Sequence, residues 1–195
     1  MAELAASIEA TSHRIPGNKG IWVGIFCVLV EFTLLFSVYF IARAHHPADF
    51  RTGPARLATV AGTAITLLLL TSGYCMVKSV AAIRQDDRRA ALRWNLLAIV
   101  LGCGYPAVKI AEIRWNVASG IDGQAGIFYT VYYYLTFNHA VHAVWGLLGL
   151  SWTAARTAFG AYSAEDCGGL EAGALYWHTT DVIWLVIFPL FYVLR

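Results

Sequence analysis

A small set of ionisable side chains sits where the sequence is otherwise apolar, and their spacing defines the chemistry open to this chain. Glu31 stands in the middle of the run Ile21–Ile41. At 1.5 Å per residue it is roughly 15 Å from either end of a helix there, too far to reach water by stretching. Such a carboxyl group can carry a proton, or it can stay neutral and hydrogen-bond a neighbouring helix. His139 and His142 are three residues apart and share one helical face. They could ligate a haem or a metal, but the favoured reading is a pair of interhelical hydrogen-bonding histidines. His178 and Asp181 have the same spacing; a carboxylate beside an imidazole can fix its tautomer or simply tie two helices together. Lys109 and Glu112 could pair with each other, and Lys109 could meet a lipid phosphate, but the expectation for both is a solvated helix end. Glu171 stands just before the last apolar run, where the helix dipole favours a carboxylate.

The elements that must carry these residues follow from composition. The chain has 195 residues, 58% hydrophobic and only 13% charged. A soluble domain averages about 25% charged residues, so this chain cannot cover a water-facing surface. Its four cysteines, Cys27, Cys75, Cys103 and Cys167, form no C-x-x-C pair, which excludes a disulfide scaffold and a zinc knuckle. A net charge of +2 gives no footprint for nucleic acid. Neither a nucleotide-binding loop nor a G-x-S-x-G elbow is present, so an enzyme acting on its own is not supported. The fold class expected is an all-α membrane protein, a bundle of five transmembrane helices at about 20–42, 57–82, 93–115, 125–156 and 173–194. A polar segment, 1–19, precedes this single domain, 20–195, and holds the turn Pro16-Gly17-Asn18-Lys19-Gly20. Ala42-Arg43-Ala44 resembles a signal-peptidase site, but the preceding run is too long for a signal and carries Glu31, so an uncleaved helix is expected. The basic cluster Arg84–Arg93 favours a cytoplasmic N-terminus. The cluster Tyr129, Tyr132, Tyr133, Tyr134 is denser than an aromatic belt requires and suits a packed interface or a polar cavity.

The last apolar run carries a resemblance. Glu171, then Tyr176-Trp177-His178, Asp181-Val182 and Trp184-Leu185 closely resemble a signature of haem–copper (cytochrome c) oxidase subunit III. Thr136-Phe137-Asn138-His139 with His142 resembles that family's Thr-Gly-x-His-x-x-His segment. Glu31-Phe32 through Tyr39-Phe40 is similar to its acidic, Phe-rich helix. Leu101-Gly102 with Glu112, and Thr71-Ser72-Gly73, are similar to two further segments. Phe137 replaces a Gly, Thr179-Thr180 replaces Phe-Val, and Lys109 stands where Gln is common. The five-helix length, with Arg14 to Gly17 before the first helix, resembles the short branch that includes the accessory subunit associated with nitric oxide reductase.

The resemblance implies a non-catalytic subunit in the plasma (inner) membrane of a bacterium. It implies no cofactor of its own, bound phospholipid, and haem and copper in a catalytic partner whose proton uptake it supports. On that basis Glu31, His139, His142, His178 and Asp181 are expected to form a proton- or lipid-associated polar cluster between the first, fourth and fifth helices. The rival reading is a haem- or quinone-binding membrane cytochrome that uses His139, His142 and His178.

Overall fold

A computed structural model describes residues 15–194; the polar residues 1–14 and Arg195 lie outside the described residues. Asn18 opens the first helix, α1 (Lys19–His45), by accepting the Ile21 N–H at 2.9 Å. Pro47 cannot continue α1 with a backbone donor, and it begins the short α2 (Pro47–Thr52), followed by a 3-10 turn (Gly53–Arg56). Then come α3 (Thr59–Ile83), α4 (Arg88–Ala118), α5 (Ile127–Ala158) and α6 (Gly168–Phe188), with a π-helical turn over Pro189–Val193. Asp87 caps α4 by accepting the Ala90 N–H at 2.9 Å.

The observed helices differ from the expected ones in three ways. The described residues contain six α-helices rather than five, because α2 forms in the connection after α1. The helix expected at 93–115 runs instead from Arg88 to Ala118. The helix expected at 173–194 starts at Gly168, so Glu171 lies inside its first turn, and it breaks at Pro189. Four helices are long and apolar enough to cross a membrane: α1, α3, α4, and α6 with its π turn. α5, with Tyr129, Tyr132, Tyr133, Tyr134, Asn138, His139 and His142, falls below that apolarity.

Burial ranks the helices. Only 22% of the most apolar stretch of α1 is buried inside the protein, against 56% for α6, so α6 is central and α1 is a peripheral rib. α3 and α4 form a closely packed antiparallel hairpin, α6 packs on α3 and α5, and α1 packs chiefly on α5 and α6. Serines fasten the hairpin: Ser72 and Ser79 donate to the Ala98 and Ala91 carbonyls at 2.7 and 2.8 Å. Trp177 lies across this core, donating to Ser72 Oγ at 3.0 Å. Gly102 and Gly146 make room for its ring; a Cβ on either would come within 3 Å of it. The outward faces expose Phe26, Leu34, Val100, Phe137, Trp145 and Trp152, a surface suited to lipid rather than water.

Candidate functional site

The most completely built polar site joins α4, α5 and the C-terminal turn. Lys109 donates to Glu112 Oε2 at 3.0 Å, to the Tyr132 hydroxyl at 2.8 Å and to the Tyr192 hydroxyl at 3.1 Å. Those three bonds use all three protons of an ammonium group. Tyr192 donates to Glu112 Oε1 at 2.7 Å, and the two tyrosine hydroxyls are 3.0 Å apart. Lys109 also sits 4.5 Å from the Tyr132 ring centroid. The side chains of Lys109 and Glu112 are 3% and 0% exposed. The solvated helix end expected for this pair is therefore corrected. α4 continues nine residues past Lys109, about 14 Å, and α5 and the π turn close over it. Tyr192 was not singled out in the sequence; no local pattern links it to residues 80 and 83 positions away.

The five residues expected to cluster fall into three groups. His139 is fully buried on α5. Its Nε2 faces the Thr180 carbonyl at 3.1 Å, which can only accept, so Nε2 carries the hydrogen. Its Nδ1 then accepts from the Tyr105 hydroxyl at 2.9 Å. Phe32, Tyr105 and Trp184 pack around the ring. One turn further on, His142 turns the other way. Its Nε2 lies 3.2 Å from Glu31 Oε2 and its Nδ1 3.1 Å from the Tyr176 hydroxyl, linking α1, α5 and α6. The Glu31 side chain is 44% exposed, and His142 and Tyr176 form part of the wall of a cavity of about 720 Å³ between α1 and α5.

His178 and Asp181 make the third group, on the α3 side of α6. Nδ1 and Oδ2 are 3.7 Å apart, beyond hydrogen-bonding distance. Asp181 is 6% exposed and its Oδ1 has no partner among the described residues. A Cβ on Gly73 would meet Asp181 Oδ2 at 2.5 Å, so only glycine at that point of α3 leaves the carboxyl group its space. The Thr71-Ser72-Gly73 segment thus serves two α6 side chains, Trp177 through Ser72 and Asp181 through Gly73.

Glu171 is held by more than the helix dipole. Its carboxylate accepts from the Gly17 N–H at 3.0 Å, from Arg84 at 2.9 Å and from the Cys167 thiol at 3.3 Å. It therefore ties the entry to α1, the end of α3 and the start of α6. The hydrogen bond to Glu171 raises the pKa of the Arg84 guanidinium above its ordinary value. Trp184 donates to Thr66 Oγ1 at 2.9 Å, a second anchor of α6 on α3. Three of the four clustered tyrosines turn inward: Tyr129 faces the Gly53 carbonyl, Tyr132 the Lys109 ammonium and Tyr133 the Ile121 carbonyl, while Tyr134 is exposed. Sequence reasoning had no means of finding Tyr105 or Arg84, whose partners are 34 and 87 positions distant.

Comparison with known proteins agrees with this architecture. The family model described as cytochrome c oxidase subunit III matches residues 5–194. Over 187 residues the chain is 31% identical to cytochrome c oxidase subunit 3 of Synechocystis sp., covering 93% of this chain and 78% of that protein. It is 27% identical over 188 residues to cytochrome c oxidase subunit 3 of Thermostichus vulcanus, covering 94% and 90%. It is 25% identical over 199 residues to a probable quinol oxidase subunit 3 of Staphylococcus saprophyticus, covering 100% and 97%. With the whole set of long helices inside the matched region, the chain is a multi-pass membrane protein that belongs to the cytochrome c oxidase subunit III family.

Proposed function

We propose that this chain is the non-catalytic third subunit of a bacterial haem–copper oxidoreductase. It packs beside a catalytic subunit that holds the haem and copper, and it supports that subunit's assembly and proton uptake. The observation that carries this reading is the family match over residues 5–194, which includes the whole α6 segment from Glu171 to Leu185. All five long helices cross the inner membrane in this reading, with the N-terminus cytoplasmic. At 32 residues α5 reaches about 48 Å, and its polar side chains are largely turned onto α4, α6 and the connecting turns rather than onto lipid. The arginine-rich turn between α3 and α4 then faces the cytoplasm. The Glu31–His142–Tyr176 link serves as the proton- or lipid-associated site, because its carboxyl side chain is 44% exposed and His142 and Tyr176 line a cavity of about 720 Å³. Phospholipid fills that cavity.

The rival reading as a cytochrome requires a free imidazole lone pair. Both ring nitrogens of His139 and both of His142 are already in hydrogen bonds, which weighs against ligation by either. Affinity purification of the tagged chain from native membranes tests the proposal. A haem–copper subunit should co-elute and bring its visible spectrum, and turnover of oxygen against nitric oxide by that complex reports the branch. A chain that elutes alone, or that carries its own Soret band abolished by His139→Ala, overturns it.

A further inference from the structure

Where α6 meets α3, polar groups lead in steps from one end of the bundle toward its middle. The first step is the pair Arg84–Glu171, at 2.9 Å. Two helical turns further along α6 comes His178, and close beyond it Asp181 lies against Gly73 of α3. A cavity of about 230 Å³ occupies the interval between α3 and α6. Arg84 and Glu171 line it at one end and His178 at the other. It has room for several water molecules, and Arg84, 56% exposed, leaves its near end open to water. No other residue lining it can carry a charge. On its α1 side His178 meets Trp22, Ile25 and Leu29, none of them ionisable.

Asp181 is ten residues beyond Glu171, about 15 Å along α6, which is the hydrocarbon half-thickness of a bilayer. A carboxyl group at that depth is costly unless it is paired or neutralised. Glu112 is paired at both oxygens. Asp181 is not: it is 6% exposed, its Oδ1 has no partner among the described residues, and its Oδ2 stands 3.7 Å from His178 Nδ1. We propose that His178 and Asp181 form a proton-binding site, loaded from the Arg84 end of the bundle through this cavity. Water in the cavity gives a proton to Nε2 of the neutral imidazole. Nδ1 then passes its own proton to Asp181 Oδ2, and the ring is left neutral with its hydrogen on Nε2. Release runs the same two transfers in reverse. Closing the gap to about 2.8 Å takes only a small movement of the ring. The Arg84 end is cytoplasmic in the reading proposed above. The site itself belongs to this chain alone, so its failure leaves that reading standing.

Infrared spectroscopy of the full chain, labelled with carbon-13 at the aspartate carboxyl groups, tests this. Asp181 is the only aspartate within the long helices; Asp49 is on α2, and Asp86, Asp87, Asp122 and Asp166 lie in the connections. A protonated-carboxyl band carrying the label should appear in the wild type, vanish in Asp181→Asn and shift on transfer to deuterium oxide. Filling the cavity with Ala81→Leu should slow that exchange roughly tenfold or more. His178→Gln, which removes the carrier and keeps the cavity, should slow it as well. Gly149→Ala, on an open face of α5, should exchange like the wild type. Absence of the labelled band at every pH at which the helices persist overturns the site. Wild-type exchange in Ala81→Leu overturns the route, and wild-type exchange in His178→Gln overturns the role of the imidazole. Should Ala81→Leu not accumulate, Val80→Phe narrows the same cavity and is read in the same way.

Discussion

Lys109–Glu112 and Glu31–His142 are both acid–base pairs placed inside membrane helices, yet the protein treats them in opposite ways. The first is closed: every ammonium proton and both carboxylate oxygens have partners, and the two side chains are 3% and 0% exposed. The second is open: Glu31 is 44% exposed and the pair stands beside a cavity. A closed pair has nothing left to offer a ligand, so its effect is to lock α4, α5 and the C-terminal turn together. An open pair contributes little to holding helices and keeps a carboxyl group accessible. Depth in the sequence does not separate the two, since both interrupt apolar runs.

Lys109→Met is the strongest way to break this contrast. It strands the Glu112 carboxylate in the protein interior and should cost about 3–5 kcal/mol in a thermal melt of the purified protein. Adding Glu112→Leu should recover most of that loss, because Tyr132 and Tyr192 still pair with each other and no charge is left buried. If Lys109→Met melts like wild type, the cage is not a lock.

Gly102→Ala probes the packed core that both pairs surround. Its methyl group would press on the Trp177 ring, for an expected loss of about 1–3 kcal/mol, and Trp177→Phe in the same chain should relieve part of it. Glu171→Gln gives an intermediate case, because the carboxylate is buried but its partner Arg84 is 56% exposed. A loss near 1 kcal/mol, shrinking in high salt, would place this staple between the two extremes. Smallest of all is Glu31→Gln. The melting temperature should move by less than the equivalent of about 1 kcal/mol, while activity of the assembled complex falls. A large drop in stability together with full activity would reverse the roles assigned to the two pairs.

Much of the architecture was legible because it is written in local chemistry. Long apolar runs must become helices in lipid, where every backbone group needs an internal partner. The rare residues of α6, Tyr176, Trp177, His178, Asp181 and Trp184, were enough to point to the family. The helix ends were less legible, since α6 begins at Gly168, where the sequence offers two glycines, and the contacts of Glu171 there come from Gly17 and Arg84, far away in the chain. The expected five-residue cluster divides because His139 and His142, three residues apart, are offset by about 60° around α5 and about 4.5 Å along it, enough for one ring to meet Tyr105 and the other Glu31.

By itself the sequence determined that the chain is helical, membrane-embedded and related to subunit III, because hydropathy and residue type are properties of single positions and short segments. Only the tertiary structure decided which ionisable groups are sealed and which are open. Lys109 is closed off by a tyrosine 83 positions away, Asp181 is given its buried space by the absent side chain of Gly73, and Glu31 is left partly exposed beside His142. Each outcome depends on how helices rotate against one another, and that rotation is set by packing across the whole bundle rather than by any local stretch of sequence.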